Sequence, residues 1–164
     1  MAGRYRIDEA RARVIHHPSL IGRHPQSETI LAFDYGERFV GVAVGDTGIG
    51  VAHPLKAIEA AGAERRFAAI AALVHEWRPA RLVVGLPLSL DGEEREVARR
   101  ARRFARRLEG RFGLPVALQD ERLSSTEAAS RLRAIGRGGR RNRALTHPVA
   151  AQVVLQAYLD ENTP

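Results

Sequence analysis

Apolar and polar positions along this chain follow two periods in turn, and the changes between them divide it into strands and helices. Thr29-Ile-Leu-Ala-Phe-Asp34 is an apolar run closed by an acid, the pattern of a buried strand. Tyr35 to Arg38 reads as a turn, and Phe39-Val-Gly-Val-Ala-Val44 as the returning strand of a hairpin. Gly50 to Ile58 predicts a third strand. Pro54 places it at a sheet edge, because proline cannot complete a central ladder. From Ala63 to Trp77 the period becomes helical. Phe67, Ile70, Ala71, Val74 and Trp77 share one face, and Pro79 marks the end. Arg81 to Gly85 predicts a fourth strand, followed by Leu86-Pro87 and a loop through Gly92. Glu93 to Arg111 predicts a long helix with an apolar stripe of Val97, Ala101, Phe104, Leu108 and Phe112, stopped by Gly113. Pro115 to Leu118 predicts a fifth strand, Ser125 to Ala134 a helix, and His147 to Asp160 the last helix. Three strands followed by alternating helices and strands imply one α/β domain, a mixed sheet with helices on its faces. No internal repeat is present. Residues 1–27 read as a flexible extension ahead of a domain over 28–164. They carry no clear strand, and Ile7, Ala10 and Val14 make at most a short helical stripe.

Composition narrows the class. The chain has 164 residues, enough for one ordinary domain. It is 45% hydrophobic and 27% charged, a globular balance. The absence of cysteine excludes disulfides and thiolate metal sites and suits a reducing compartment. No apolar run approaches the about 20 residues of a membrane span, and the first residues lack a secretory stretch. A cytoplasmic protein without membrane contact is expected, as a monomer or weak homodimer.

Charge changes the picture further. The formal net charge is +7, from 26 Lys+Arg against 19 Asp+Glu, and Lys56 is the single lysine. Guanidinium groups match phosphate geometry, so a polyanionic partner is favoured. An arginine-rich coding sequence explains the same composition, and the positions of the arginines must decide. Arg99, Arg100, Arg102, Arg103, Arg106, Arg107 and Arg111 all fall off the apolar stripe of the long helix. Gly136-Arg-Gly-Gly-Arg-Arg-Asn-Arg143 reads as a basic loop in which Arg137, Arg140, Arg141 and Arg143 would contact phosphates. Aromatic residues are few, which disfavours base stacking on single strands.

Carboxylates close two of the strands. Asp34 ends an apolar strand, either as a turn residue or as a desolvated acid in need of a partner. Asp120-Glu121-Arg122 repeats the pattern after the fifth strand, where active-site residues of α/β proteins gather. Adjacent residues of an extended chain point to opposite faces, so one of the two acids can reach a site. Ser124 caps the next helix in a Ser-x-x-Glu box or, alternatively, contacts a phosphate. His16, His17 and His24 read as solvated.

Phe33-Asp-Tyr-Gly36, Gly85-Leu-Pro87, Asp120-Glu-Arg-Leu-Ser-Ser125 and Ala150-Ala-Gln-Val-Val-Leu-Gln-Ala-Tyr-Leu159 together resemble the YqgF/RuvX family. This family groups with the Holliday-junction resolvase-like members of the RNase H superfamily. The resemblance runs from Thr29 to Glu161. It implies an RNase H-like fold, a five-stranded mixed sheet flanked by helices. It also implies a nuclease acting on the 5′ end of precursor 16S ribosomal RNA or, alternatively, on branched DNA. The family's three acids imply a divalent cation, Mg²⁺ or Mn²⁺. The first two correspond to Asp34 and Glu121. The third position holds His147, a departure that trades a hard oxygen ligand for an imidazole. With Thr146 as N-cap and Pro148 in the first turn, His147 would sit at a helix N-terminus, which favours the neutral ring. His147 would then be a third ligand or a proton-transfer group, with Arg122 and the 137–143 loop on phosphates. A binding-only relative with a lost ligand is the alternative. An actin-like or sugar-kinase ATPase shares the Asp-x-Gly hairpin but needs two lobes, which this length does not hold.

Overall fold

Among the described residues, a five-stranded sheet with two helices on one face and a third on the other positions the acids singled out above. The computed structural model describes residues 5–8, 13–16, 27–59, 62–89, 91, 93–123 and 140–162. In chain order these form β1 (Tyr5–Asp8), β2 (Arg13–His16), β3 (Thr29–Tyr35), β4 (Phe39–Asp46), β5 (Val51–Glu59), α1 (Ala63–Trp77), β6 (Arg81–Leu86), α2 (Glu96–Phe112), β7 (Val116–Asp120) and α3 (Arg140–Asn162). A 3-10 turn, Glu121–Leu123, follows β7.

The main sheet has the order β5-β4-β3-β6-β7. β4 pairs antiparallel with both β3 and β5, while β6 pairs parallel with β3 and β7 parallel with β6. This is the five-stranded mixed sheet that the sequence predicts. β5 lies at the edge, as Pro54 required, and the β4–β5 register shifts between Val42 and Ala43, beside the proline. β3 is central because Ile30, Leu31, Ala32 and Phe33 are all fully buried, so it needs cover on both faces. Leu31 and Phe33 pack with α1 and α2. Ile30 and Ala32 pack with Ala151, Val154, Leu155 and Leu159 of α3. Helix α3 also covers the β5 edge. The Gln156 side chain accepts from the Ala52 amide at 3.0 Å and donates to the Gly50 carbonyl at 2.9 Å. Gln152 donates to the Ala52 carbonyl at 3.0 Å. Main-chain groups of an exposed edge strand are thereby satisfied by side chains.

Several boundaries differ from the sequence reading. The N-terminal segment forms a hairpin, β1 paired antiparallel with β2, in place of a helical stripe. Tyr5-Arg-Ile-Asp8 and Arg13-Val-Ile-His16 favour strands through their alternation and β-branched residues, a pattern that the three-residue helical stripe passed over. In α1, Leu73 takes the buried place expected for Ala71, which is exposed. In α2, Ala98 and Ala105 join Ala101, Phe104 and Leu108 in the buried stripe, while Val97 is 55% exposed. Small residues let this helix lie close to the sheet, so its seam follows alanines rather than the largest side chains. Helix α3 begins at Arg140, so Arg140 to Arg143 are helical and not part of a loop, and Pro148 lies inside the helix. Arg, Ala and Leu are good helix formers, and packing of the following apolar face outweighs the hydrogen bond that an internal proline loses. The helix expected over Ser125–Ala134 lies outside the described residues, as does 136–139. Among the described residues, no helix is long and apolar enough to cross a membrane.

The reassigned α2 stripe is directly measurable. Phe104, in contact with Phe33, Tyr35 and Phe67, should lose about 3–5 kcal/mol of stability on truncation to alanine. Val97→Ala should change stability by no more than about 0.5 kcal/mol. Urea melts of the two variants decide the point, and equal losses would return Val97 to the core.

Candidate active site

Side chains alternate along β3, so Asp34 continues the face of Ile30 and Ala32 and falls on the α3 side of the sheet. Its register partner on β4 is Gly41. A Cβ on Gly41 would run into the backbone carbonyl of His147, so α3 crosses β4 with its main chain seated where a side chain would be. Two strands away, β7 ends at Asp120, and the 3-10 turn starting at Glu121 swings the next carboxylate inward. Glu121 lies over Gly85 of β6. A Cβ there would collide with Glu121 Oε1 and would stand 2.9 Å from Val154 of α3. Gly41 and Gly85 therefore shape the site without carrying chemistry. An isolated glycine inside an apolar strand is the signal that marks such close approaches.

Asp34 and Glu121 are hydrogen-bonded to one another. The Asp34 carboxyl is held above its ordinary range by burial, an effect offset by the Glu121 hydrogen bond and the charge of His147. Glu121 is pushed up to about 8, first by burial, then by the charge of Asp34, the hydrogen bond with Asp34 and the charge of Asp120. Two desolvated carboxylates in contact cannot both ionise cheaply, so the pair shares one proton near neutral pH. Glu121 Oε1 is buried without a hydrogen-bond partner among the described residues.

His147 stands beside this pair. Its ring stacks on Phe39 at 5.0 Å between centroids and 25° between planes, and its charge reaches Asp34. It lies two turns into α3, not at a helix N-terminus, so the macrodipole argument for a neutral ring does not apply. Among the described residues no group of three His, Cys, Asp or Glu is arranged to hold a metal ion. The structure thus joins Asp34 and Glu121 directly and places His147 next to them on an aromatic support.

The two acids at the end of β7 divide as expected. Asp120 turns away from Glu121 and binds the Arg122 guanidinium through both oxygens, with Nη2 2.7 Å and Nε 2.9 Å from Oδ2 and Nε 3.1 Å from Oδ1. The Asp120 carboxyl is held low by this pairing. Arg122 is thereby fixed at the rim. Ser124 and Arg137 lie outside the described residues, and so do the side chains of Arg140, Arg141 and Arg143. On α2 several of the arginines are paired locally. Arg99 pairs with Glu96 at 3.5 Å, Arg100 with Glu96 at 3.2 Å and with Glu37, and Arg102 with Glu94. Arg107 and Arg111 lie over the Phe67 ring.

The raised Glu121 carboxyl makes a stability prediction with a definite sign. Unfolded, the group ionises near 4.5, and folded, near 8. Its contribution is fully present below the unfolded value and is lost as pH rises through the folded one. In the presence of chelator, the melting temperature should fall between about pH 5 and about pH 8. Glu121→Gln, which stays neutral, should flatten that slope. Adding Mn²⁺ at the upper pH should raise the wild-type melting temperature and leave the variant unmoved. A wild-type profile as flat as that of the variant would show that the pair does not share a proton.

A family model described as RuvX, Holliday junction resolvase, matches residues 28–161. A protein of Methylobacillus flagellatus, named as a candidate pre-16S rRNA nuclease, is 53% identical over 131 residues, 80% of this chain and 90% of its own length. One of Thiobacillus denitrificans with the same name is 54% identical over 132 residues, 80% of this chain and 91% of its own. Among solved structures, T. thermophilus RuvC in complex with Holliday junction substrate aligns over 79% of this chain and 92% of that one, at 16% identity and a TM-score of 0.47.

Proposed function

Because this chain belongs to the RuvX, Holliday junction resolvase family, we propose that it is a metal-dependent nuclease hydrolysing phosphodiester bonds of precursor 16S ribosomal RNA. The observation that carries the chemistry is the half-buried Asp34–Glu121 pair, with one buried oxygen that has no partner among the described residues. Two hard carboxylate donors, one of them orphaned in a cradle floored by Gly85, fit a divalent cation such as Mg²⁺ or Mn²⁺. Asp34 and Glu121 would hold it, and Glu121 would release its proton on doing so. When bound, the cation supplies polarisation of the phosphate and activation of water at neutral pH. His147, kept in place by Phe39, serves as a third ligand or moves a proton to or from the reacting oxygen. Arg122, oriented by Asp120, and Ser124, Arg137, Arg140, Arg141 and Arg143 contact the phosphates on either side. The names of the relatives in M. flagellatus and T. denitrificans support precursor ribosomal RNA as the substrate. The family description favours a second substrate, the four-way DNA junction. The domain acts in the cytoplasm.

Cleavage of precursor rRNA and of four-way junctions, each with Mg²⁺ and with Mn²⁺, tests this reading. Asp34→Asn and Glu121→Gln should each lower the rate by more than about 100-fold, beyond the range for residues that merely support a ligand. Binding of the nucleic acid should change little. His147→Asp should move the metal preference from Mn²⁺ toward Mg²⁺. If neither substrate is cut with either metal, the protein binds nucleic acid without cleaving it. Retention of full activity in both acid variants would place the reaction elsewhere.

A further inference from the structure

Tyr35 follows Asp34 in β3 and points to the opposite face, where α1, α2 and the turn after β3 border an open cavity of about 290 Å³. Phe67 and Phe104 line its apolar part. Four arginines, Arg66, Arg100, Arg103 and Arg107, face it against only two acids, Glu37 and Glu96. The formal balance of the lining is therefore two positive charges.

The cations are not all satisfied. Arg66 donates to the Tyr35 hydroxyl at 3.3 Å and to the Glu37 carbonyl at 2.9 Å, and its guanidinium lies 5.1 Å from the Tyr35 ring centre. Of its three other donors, Nε is buried with no hydrogen-bond partner among the described residues. Leaving a charged N–H buried and unpaired is costly, and such a group in a native fold calls for an acceptor. Arg100 is tied to Glu37 and Glu96, and Arg107 lies over Phe67 at 5.2 Å. Arg103 makes no hydrogen bond or ion pair with any described residue.

We propose that this cavity is a binding pocket for a phosphate monoester, separate from the Asp34–Glu121 pair and on the other side of the sheet. A guanidinium oriented by Tyr35 and Glu37, with a second N–H left on each of Nη1 and Nη2, is preorganised for a phosphate oxygen. Arg103 supplies the second charged contact. A monoester carries nearly two negative charges at neutral pH, which matches the lining, whereas a phosphodiester carries one. The volume leaves room beyond the phosphate, so the group arrives either on a free nucleotide or at the end of a nucleic-acid strand. The charge and geometry of the pocket stand independently of the nuclease reading.

Titration calorimetry on the full chain separates the possibilities. The probes are adenosine 5′-monophosphate, adenosine, and a short oligoribonucleotide with either a 5′-phosphate or a 5′-hydroxyl. The monophosphate should bind and adenosine should not. Arg103→Ala, at an exposed position that should not disturb folding, should weaken monophosphate binding about tenfold, and Arg103→Lys should restore part of it. Glu121→Gln should leave it unchanged. Tighter binding of the 5′-phosphorylated strand than of its 5′-hydroxyl twin, lost in Arg103→Ala, identifies a strand end as the source. Binding of the monophosphate alone identifies a free nucleotide. The proposal is overturned if the monophosphate binds no better than adenosine, or if Arg103→Ala weakens both strands equally. It is also overturned if Glu121→Gln abolishes monophosphate binding.

Discussion

Alternation of side chains at the end of one central strand governs the chemistry of this domain. β3 is buried on both faces, so its register cannot slip without exposing Ile30 to Phe33. With the register fixed, Asp34 must face α3 and Tyr35 must face α1 and α2. The acid pair is built from the first residue, and the arginine-lined cavity is bordered by the second. Both sites thus inherit their geometry from apolar packing several residues upstream, and neither has to supply the energy that positions it.

The acid pair depends on a second constraint, the close passage of backbone and side chains over glycines. Gly41 lets the main chain of α3 descend onto β4, and Gly85 leaves the volume that Glu121 occupies. Without those two approaches Glu121 would turn toward solvent, as Asp120 does, and would ionise as an ordinary surface acid. Burial instead keeps one proton between two carboxylates and leaves an oxygen with no partner among the described residues. A divalent cation at the proposed site would resolve both conditions at once, replacing the proton and satisfying the orphaned oxygen.

Much of this was legible in the sequence. The five strands of the sheet, the hairpin order and the edge position of β5 follow from apolar runs, turn residues and Pro54, all of them local signals. Asp34 and Glu121 stood out because each closes an apolar strand. What was not legible depends on packing distance. Ala98 and Ala105 replace Val97 in the α2 seam because close approach selects small residues, which hydrophobicity alone does not rank. The start of α3 was set at His147 by a rule that places proline in a first turn, yet tertiary burial carries the helix through Pro148. That shift removes His147 from the helix terminus and puts it on Phe39, a contact between distant segments that no spacing discloses. The arginines of α2 looked like a uniform cationic face. Only the positions of Glu37, Glu94, Glu96 and Phe67 show that most of them are occupied.

The two faces also differ in what an approaching polyanion meets. A formal charge of +7 favours polyanionic partners, yet a phosphate reacting at the proposed site would have to approach two carboxylates. Holding one proton between them would halve the repulsion before any cation arrives, and a dication bound in place of that proton would cancel it. At the rim, Asp120 neutralises Arg122 while fixing its direction. That corner therefore contributes orientation more than net attraction. On the opposite face, glutamates cancel the charge of Arg99, Arg100 and Arg102, and aromatic stacking holds Arg107 and Arg111. Long-range attraction is thus spread over many groups, while the capacity to bind a particular phosphate is confined to the few donors that local pairing leaves free.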